Sequence, residues 1–186
     1  MGRPRTIDRD KLLDAAEAVV SEVGAAGLSI DAVAKAAGVT KSGVQHCFGT
    51  KQQLIDAMFD RWEAEFDEEV AKLVGDDSDP INQIRADIEA TMRTDEVDSA
   101  RSAVLMAALV QTPEQRQRAQ KWYRQRMERL DASTELGRRT RLAFLASEGL
   151  FMLRSFGLMD VSEDEWTSVF TDILALQSGQ SAKRAR

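Results

Sequence analysis

The sequence predicts an all-α chain. A three-helix N-terminal unit with a helix-turn-helix precedes a larger helical unit, about nine helices in total. Three observations carry this. Apolar residues recur at three- and four-residue spacing along most of the 186 residues. Only three prolines and 11 glycines are available to interrupt them. Helix-start residues (Ser, Thr or Asp, some followed by Pro or Glu) precede several of the periodic stretches.

The elements follow in order. Residues 1–7 form a polar arm. From Asp8 to Val23, the residues Leu12, Leu13, Ala16, Val19, Val20 and Val23 form one helical stripe, which Gly24 and Gly27 end. Ser29 caps a short second helix that runs to Ala36, with Asp31 in its first turn favoured by the helix dipole. Gly38 breaks the chain, and Thr40 caps a third short helix ending near Phe48-Gly49. A long fourth helix begins after Thr50 and carries Leu54, Ile55, Met58, Phe59, Trp62, Phe66, Val70 and Leu73 on a broad apolar face. Asp79 then caps a fifth helix with Pro80 at its first position and Ile81, Ile84, Ile88 and Met92 inward. A polar break at Asp95–Asp98 leads to a sixth, apolar all round from Val104 to Val110. Thr112-Pro113-Glu114-Gln115 opens a charged seventh helix that holds Trp122, Tyr123, Met127 and Leu130. The eighth runs from Glu135 to Phe156. Ser162-Glu163-Asp164-Glu165 is a capping box that opens the ninth. The chain divides into residues 1–50, residues 51–178 and a disordered tail, 179–186. No internal repeat is visible.

Charge and composition narrow the function. The net charge is −6, yet residues 1–51 hold seven Lys/Arg against six Asp/Glu and the remainder 18 against 25. Basic groups that bind nucleic acid must therefore be focused on one face of the N-terminal unit. The single cysteine, Cys47, forbids an internal disulfide and fits a cytoplasmic setting. Its place in the periodic pattern is a buried apolar one, so it reads as a small hydrophobe rather than a redox sensor. Met1-Gly2-Arg3-Pro4-Arg5 is basic, but no apolar run follows, so no secretory signal is expected. Leu142–Leu158 is apolar but broken by Glu148 and Arg154, so no membrane partner is expected. The only histidine is His46. No His/Cys/Asp cluster has metal spacing, and neither a phosphate loop nor a nucleophile–base set exists. No enzyme activity, no metal and no cofactor is expected.

The helix-turn-helix carries the chemistry. Gly38 supplies the turn, and Ala34 gives a small residue where the helices cross. Val33, Ala37, Val39, Val44 and Cys47 lock the pair. The polar residues Thr40, Lys41, Ser42, Gln45 and His46 are then presented to the major groove.

Taken together, Asp10-Lys11-Leu12-Leu13-Asp14-Ala15-Ala16, Gly24, Leu28-Ser29, Val33-Ala34, Ala37-Gly38-Val39-Thr40-Lys41, Phe48, Lys51 and Leu54 resemble the N-terminal domain of the TetR family of transcriptional regulators. The resemblance covers roughly the first 60 residues, and the helix count extends it to the architecture of the rest. It implies a homodimeric repressor that binds a palindromic double-stranded DNA operator and is released by a small-molecule effector. It further implies that Thr40, Lys41, Ser42 and the adjoining Gly43 lie near the DNA, and that Lys51 contacts a phosphate. Family members often carry Tyr-Tyr-His or Tyr-x-His before the Phe. This sequence has Gln45-His46-Cys47-Phe48, so Gln45 replaces the phosphate-gripping tyrosine and can instead pair bidentately with adenine. Arg3 and Arg5 flank Pro4 in an arm suited to the minor groove of an A·T-rich stretch.

In the larger unit, Trp62, Phe66, Met92, Met106, Trp122, Tyr123, Met127, Phe144 and Phe151 are candidates to line a pocket of roughly 300–1,000 Å³ for a largely apolar ligand. Glu89 and Glu148 are candidates to orient a cationic one. Leu142, Leu145, Gly149, Leu153 and Phe156 on the eighth helix, with Trp166, Phe170, Ile173 and Leu174 on the ninth, are too rich for one layer of burial. They predict a four-helix dimer interface. Two other readings remain open: a helical interaction protein without DNA binding, and a DNA-binding regulator that needs no ligand.

Overall fold

The computed structural model describes residues 8–94, 102 and 113–179, all in helices and the turns between them. The Arg3 and Arg5 arm, the sixth helix expected at Val104–Val110 with Met106, and tail residues 180–186 lie outside the described residues. Eight helices are described: α1 (Arg9–Gly27), α2 (Ile30–Ala36), α3 (Lys41–Phe48), α4 (Lys51–Val74), α5 (Pro80–Met92), α6 (Pro113–Glu128), α7 (Glu135–Ser155) and α8 (Glu163–Ser178).

The first three helices and the start of α4 enclose one core. Leu12, Leu13, Ala16 and Val20 from α1 meet Val33 and Ala34 of α2, Val44 and Phe48 of α3, and Leu54, Met58 and Phe59 of α4. Helix α1 continues past Gly24, which takes φ 71, ψ 177 and kinks the helix, and it ends at Gly27. Val23 consequently points to solvent rather than inward.

The second core lies between α5, α7 and α8. Ile84 and Ile88 pack on Phe144, Leu150 and Phe151, and α8 adds Trp166, Phe170 and Ile173. Trp166 donates its indole N–H to the Met92 carbonyl at 2.8 Å, so the large ring is buried with its polar atom satisfied. The expected caps hold these helices in place. Asp79 accepts from the Ile81 N–H at 2.9 Å with Pro80 leading α5. Ser162 and Glu165 form the capping box of α8. Thr50 and Gln53 form another at the start of α4.

Helix α4 is fastened to both units. Its Arg61 reaches back to α1, pairing with Glu17 and, at 2.7 Å, with Asp14. Arg118 of α6 grips the same stretch of α4 through Asp60, at 2.6 Å, and Glu63.

Candidate nucleic-acid interface and aromatic pocket

The helix-turn-helix is built as its residue types require. Gly38 has φ +65, a conformation costly for residues with a Cβ. The Val39 N–H reaches back five residues to the Ala34 carbonyl at 3.0 Å and closes α2. Thr40 then accepts from the Gly43 N–H at 3.2 Å and starts α3. Val44 and Phe48 turn into the first core, which leaves Thr40, Lys41, Ser42, Gln45 and His46 exposed on the other side. Lys51, also exposed, is the first residue of α4, where the helix dipole is positive. Gly43 corrects the expectation: it is buried on the packing side of α3, and its N–H is spent on the Thr40 cap. Cys47 is half-buried against the first core. Two further contacts shape this face. Lys41 Nζ lies 3.0 Å from Asp31 Oδ2 of α2, and the Arg9 guanidinium sits over the Phe48 ring at 5.2 Å.

The second candidate site is a chain of aromatic rings where α4, α6 and α7 meet. Phe59, Trp62 and Phe66 follow one face of α4, with centroids 5.5 Å and 6.0 Å apart. Phe66 continues to Trp122 at 6.5 Å, and Trp122 meets Tyr123 edge-on at 4.9 Å. These rings and Phe151 surround a cavity of about 70 Å³, together with Thr91, Thr94, Ala119 and the charged side chains Glu63, Arg118 and Glu148. The cavity is smaller than expected because the rings pack against one another and fill much of the space they enclose.

Electrostatics distinguish the charged groups here. Glu63 is paired with Arg118, whose guanidinium also sits 4.9 Å from the Phe59 centroid. Arg126 stacks on Trp122 at 3.4 Å and binds the buried Asp87 at 3.0 and 3.3 Å. Glu148 has a different partner, accepting a 2.7 Å hydrogen bond from the Tyr123 hydroxyl. Burial pushes the Glu148 carboxyl up to about 7. The Tyr123 hydrogen bond and Arg126 oppose this shift, and nearby Asp87 adds to it. Burial and the same carboxylate hold the Tyr123 phenol protonated well above its ordinary range.

Of the expected pocket residues, Trp62, Phe66, Trp122, Tyr123 and Phe151 line the cavity. Phe144 is buried behind it, 6.2 Å from Trp122 and 6.3 Å from Tyr123. Met92 packs against the second core, and Met127 faces a surface groove along α6, so neither lines the cavity. Glu89 pairs with Arg85 of its own helix at 2.8 Å and stands apart from the cavity, whereas Glu148 lines it. Phe59 was missed, although its spacing from Trp62 and Phe66 puts all three on one helical stripe. Thr91 and Arg118 gave no sequence signal, since their roles depend on which helices meet.

The predicted interface face divides in two. Leu142, Leu145, Leu153 and Phe156 are exposed along α7, and a Cβ built on Gly149 would meet nothing within 4 Å. Trp166, Phe170 and Ile173 do not join them. They are buried in the second core of their own chain, and Leu174 is half-buried against it. The exposed apolar residues of α8 are instead Val169 and Leu176, two turns apart on the helix. Among the described residues no group of three or more His, Cys, Asp or Glu is placed to hold a metal ion, and no helix is long and apolar enough to cross a membrane.

Comparison with known proteins places this arrangement. Residues 12–58 match the family described as bacterial regulatory proteins, tetR family, and residues 82–178 match the tetracyclin repressor-like C-terminal domain. The HTH-type transcriptional regulator BetI of Stenotrophomonas maltophilia (strain R551-3) is 29% identical over 112 residues, which are 58% of this chain and 57% of that protein. The chain thus matches just over half the length of this relative. The fold is shared with a transcriptional regulator from Rhodococcus sp. Rha1, with TM-score 0.70, 21% identity, and coverage of 92% of this chain and 96% of that one. It is also shared with the multidrug binding protein EbrR in complex with malachite green, with TM-score 0.64, 23% identity and coverage of 90% and 98%. The two matched regions define a transcriptional regulator with a DNA-binding helix-turn-helix and a separate helical domain. The chain belongs to the TetR family.

Proposed function

We propose that two copies of this chain bind a palindromic duplex operator, repress transcription there, and leave it when a small, largely apolar ligand enters the aromatic pocket. Thr40, Lys41, Ser42, Gln45 and His46 read or grip the major groove, Lys51 holds a phosphate, and Arg3 and Arg5 reach the minor groove. The exposed α7 stripe of Leu142, Leu145, Leu153 and Phe156 pairs with its copy, which supplies the two-fold symmetry a palindrome needs.

One observation carries the coupling. The helix whose Phe59, Trp62 and Phe66 wall the pocket also contributes Leu54 and Met58 to the first core. A cavity of about 70 Å³ admits a few waters. Drug-sized ligands occupy roughly 300–1,000 Å³. A ligand of that size enters only as the walls part, and α4 is one of them. Displacing it changes the separation of the two recognition helices, which must sit ~34–36 Å apart to meet successive major grooves. EbrR, similar in fold, is described as a multidrug binding protein, which supports reading this pocket as the ligand site.

Selection of binding sites from random duplex DNA tests the proposal. The selected sites should be palindromic. The Lys41→Ala, Lys51→Ala double variant should bind them more weakly, with the slope of log affinity against log salt flattened by about 3–4 for the dimer. No salt-sensitive affinity for any duplex would overturn the reading in favour of a helical interaction protein.

A further inference from the structure

Two carboxylates line the aromatic pocket, and their circumstances differ. Glu63 already has a cation, since Arg118 pairs with it at the pocket edge. Among the described residues, the hydrogen-bond partner of Glu148 is the Tyr123 hydroxyl, a neutral donor. No Lys or Arg among the described residues forms an ion pair with it. Arg126 of α6 acts on Glu148 electrostatically, and that guanidinium is committed to Asp87 at 3.0 Å and to Asp67 at 3.7 Å. Among the described residues, Asp87 on α5 and Arg126 on α6 act on Glu148, and Glu63 on α4 and Arg118 on α6 line the same pocket, with each arginine already matched by acids. Among the described residues around the pocket, the Glu148 carboxylate is the one without a matching positive charge. The rings that line the pocket suit such a charge, because aromatic faces attract cations through their quadrupoles, as Arg126 on one face of Trp122 already illustrates.

We propose that the pocket selects an aromatic monocation of the quaternary ammonium type, whose charge the Glu148 carboxylate neutralises. This rests on the reading of the pocket as the ligand site and names the class of ligand. Without a ligand, burial keeps the Glu148 carboxyl largely protonated up to near-neutral pH. An incoming cation favours the carboxylate and drives the proton out. A neutral ligand of the same shape leaves the proton in place.

Phenyltrimethylammonium and tert-butylbenzene have nearly the same shape, differ in charge, and do not titrate. Binding of each to the full chain, followed by Trp fluorescence, gives the test. Phenyltrimethylammonium should bind at least tenfold more tightly than tert-butylbenzene at pH 8. That preference should disappear by pH 5, as the carboxylate fraction falls by roughly tenfold per pH unit below 7. Glu148→Gln should lose the preference at pH 8, since glutamine can retain the hydrogen bond to Tyr123 but carries no charge. Equal binding of the two probes at pH 8, or a preference that survives Glu148→Gln, overturns the cation proposal and leaves the pocket as an apolar ligand site. Failure of both probes to bind overturns the ligand-site reading with it.

Discussion

The two cores differ in what they bury. The buried residues of the first are apolar or glycine, and the charges on its helix-turn-helix face stand outside, where Lys41 and Asp31 are 54% and 68% exposed. The second half buries Asp87, Thr91, Gln115, Thr140, Ser147 and Gln177, and its pocket encloses Glu148. Under the proposed function, the difference matches a division of tasks. A DNA-reading unit needs a fixed shape, which apolar packing around a tight turn provides, and its charges remain in water until DNA arrives. A sensing unit needs an internal imbalance that a ligand can relieve, so it keeps a carboxyl where ionisation is costly. The same half also leaves apolar surface uncovered on α7.

The largest effect should come from that uncovered face. Leu142 and Leu145 are 59% and 53% exposed, so Leu142→Asp with Leu145→Asp should leave a single chain folded. In a paired chain, four new charges would meet across the two-fold axis. Sedimentation should show monomers. Operator affinity should drop at least ~100-fold, because the second half-site no longer benefits from a tethered partner. A variant that stayed dimeric would place the interface elsewhere and remove this contrast between the two halves.

The next effect concerns Glu148 and depends on pH. Its folded-state value of about 7 lies above the ordinary 4.5. The folded chain therefore holds a proton that the unfolded chain gives up between those values. Stability falls as pH rises through this window and levels off above about 7. The cost at pH 8 is on the order of 3 kcal/mol. Glu148→Gln should remove most of it, raising the melting temperature at pH 8 and changing it little at pH 4. An equal shift at both pH values would mean that the carboxyl is hydrated, and that the second half tolerates charge as easily as the first.

The first half was legible in the sequence because its signals are local. Gly38, Thr40 and Thr50 each set the backbone within a few residues of themselves, and the helices began and ended where these residues implied. Gly24 was the exception, since a glycine with positive φ can either end a helix or kink it. The second half was legible as helices but less so as a site. The stripe of Trp166, Phe170 and Ile173 reads identically whether it faces its own chain or a partner, and the competition of α5 and α7 for that face decided the matter. The sequence offers Glu148 and Glu89 as equal candidates. Only the meeting of α6 with α7, which brings Tyr123 to 2.7 Å, separates the acid at the pocket from the one paired within its own helix.

The smallest effect tests the exposed charges of the first half. Asp31 holds Lys41 at 3.0 Å on the face proposed to meet DNA. Both groups are open to solvent, so the pair adds little to folding, and Asp31→Asn should leave the melting temperature nearly unchanged. Near a phosphate, however, the carboxylate repels the backbone and competes for the lysine. Asp31→Asn should tighten duplex binding by roughly two- to fivefold at low salt. The gain should shrink as salt rises, because screening acts on exposed charges over about 10 Å at 0.1 M. It should appear on unrelated duplexes as well as on the operator, since phosphates carry no sequence information. Weaker operator binding in this variant would mean that Asp31 positions Lys41 for a base, which would make the exposed pair part of the reading surface.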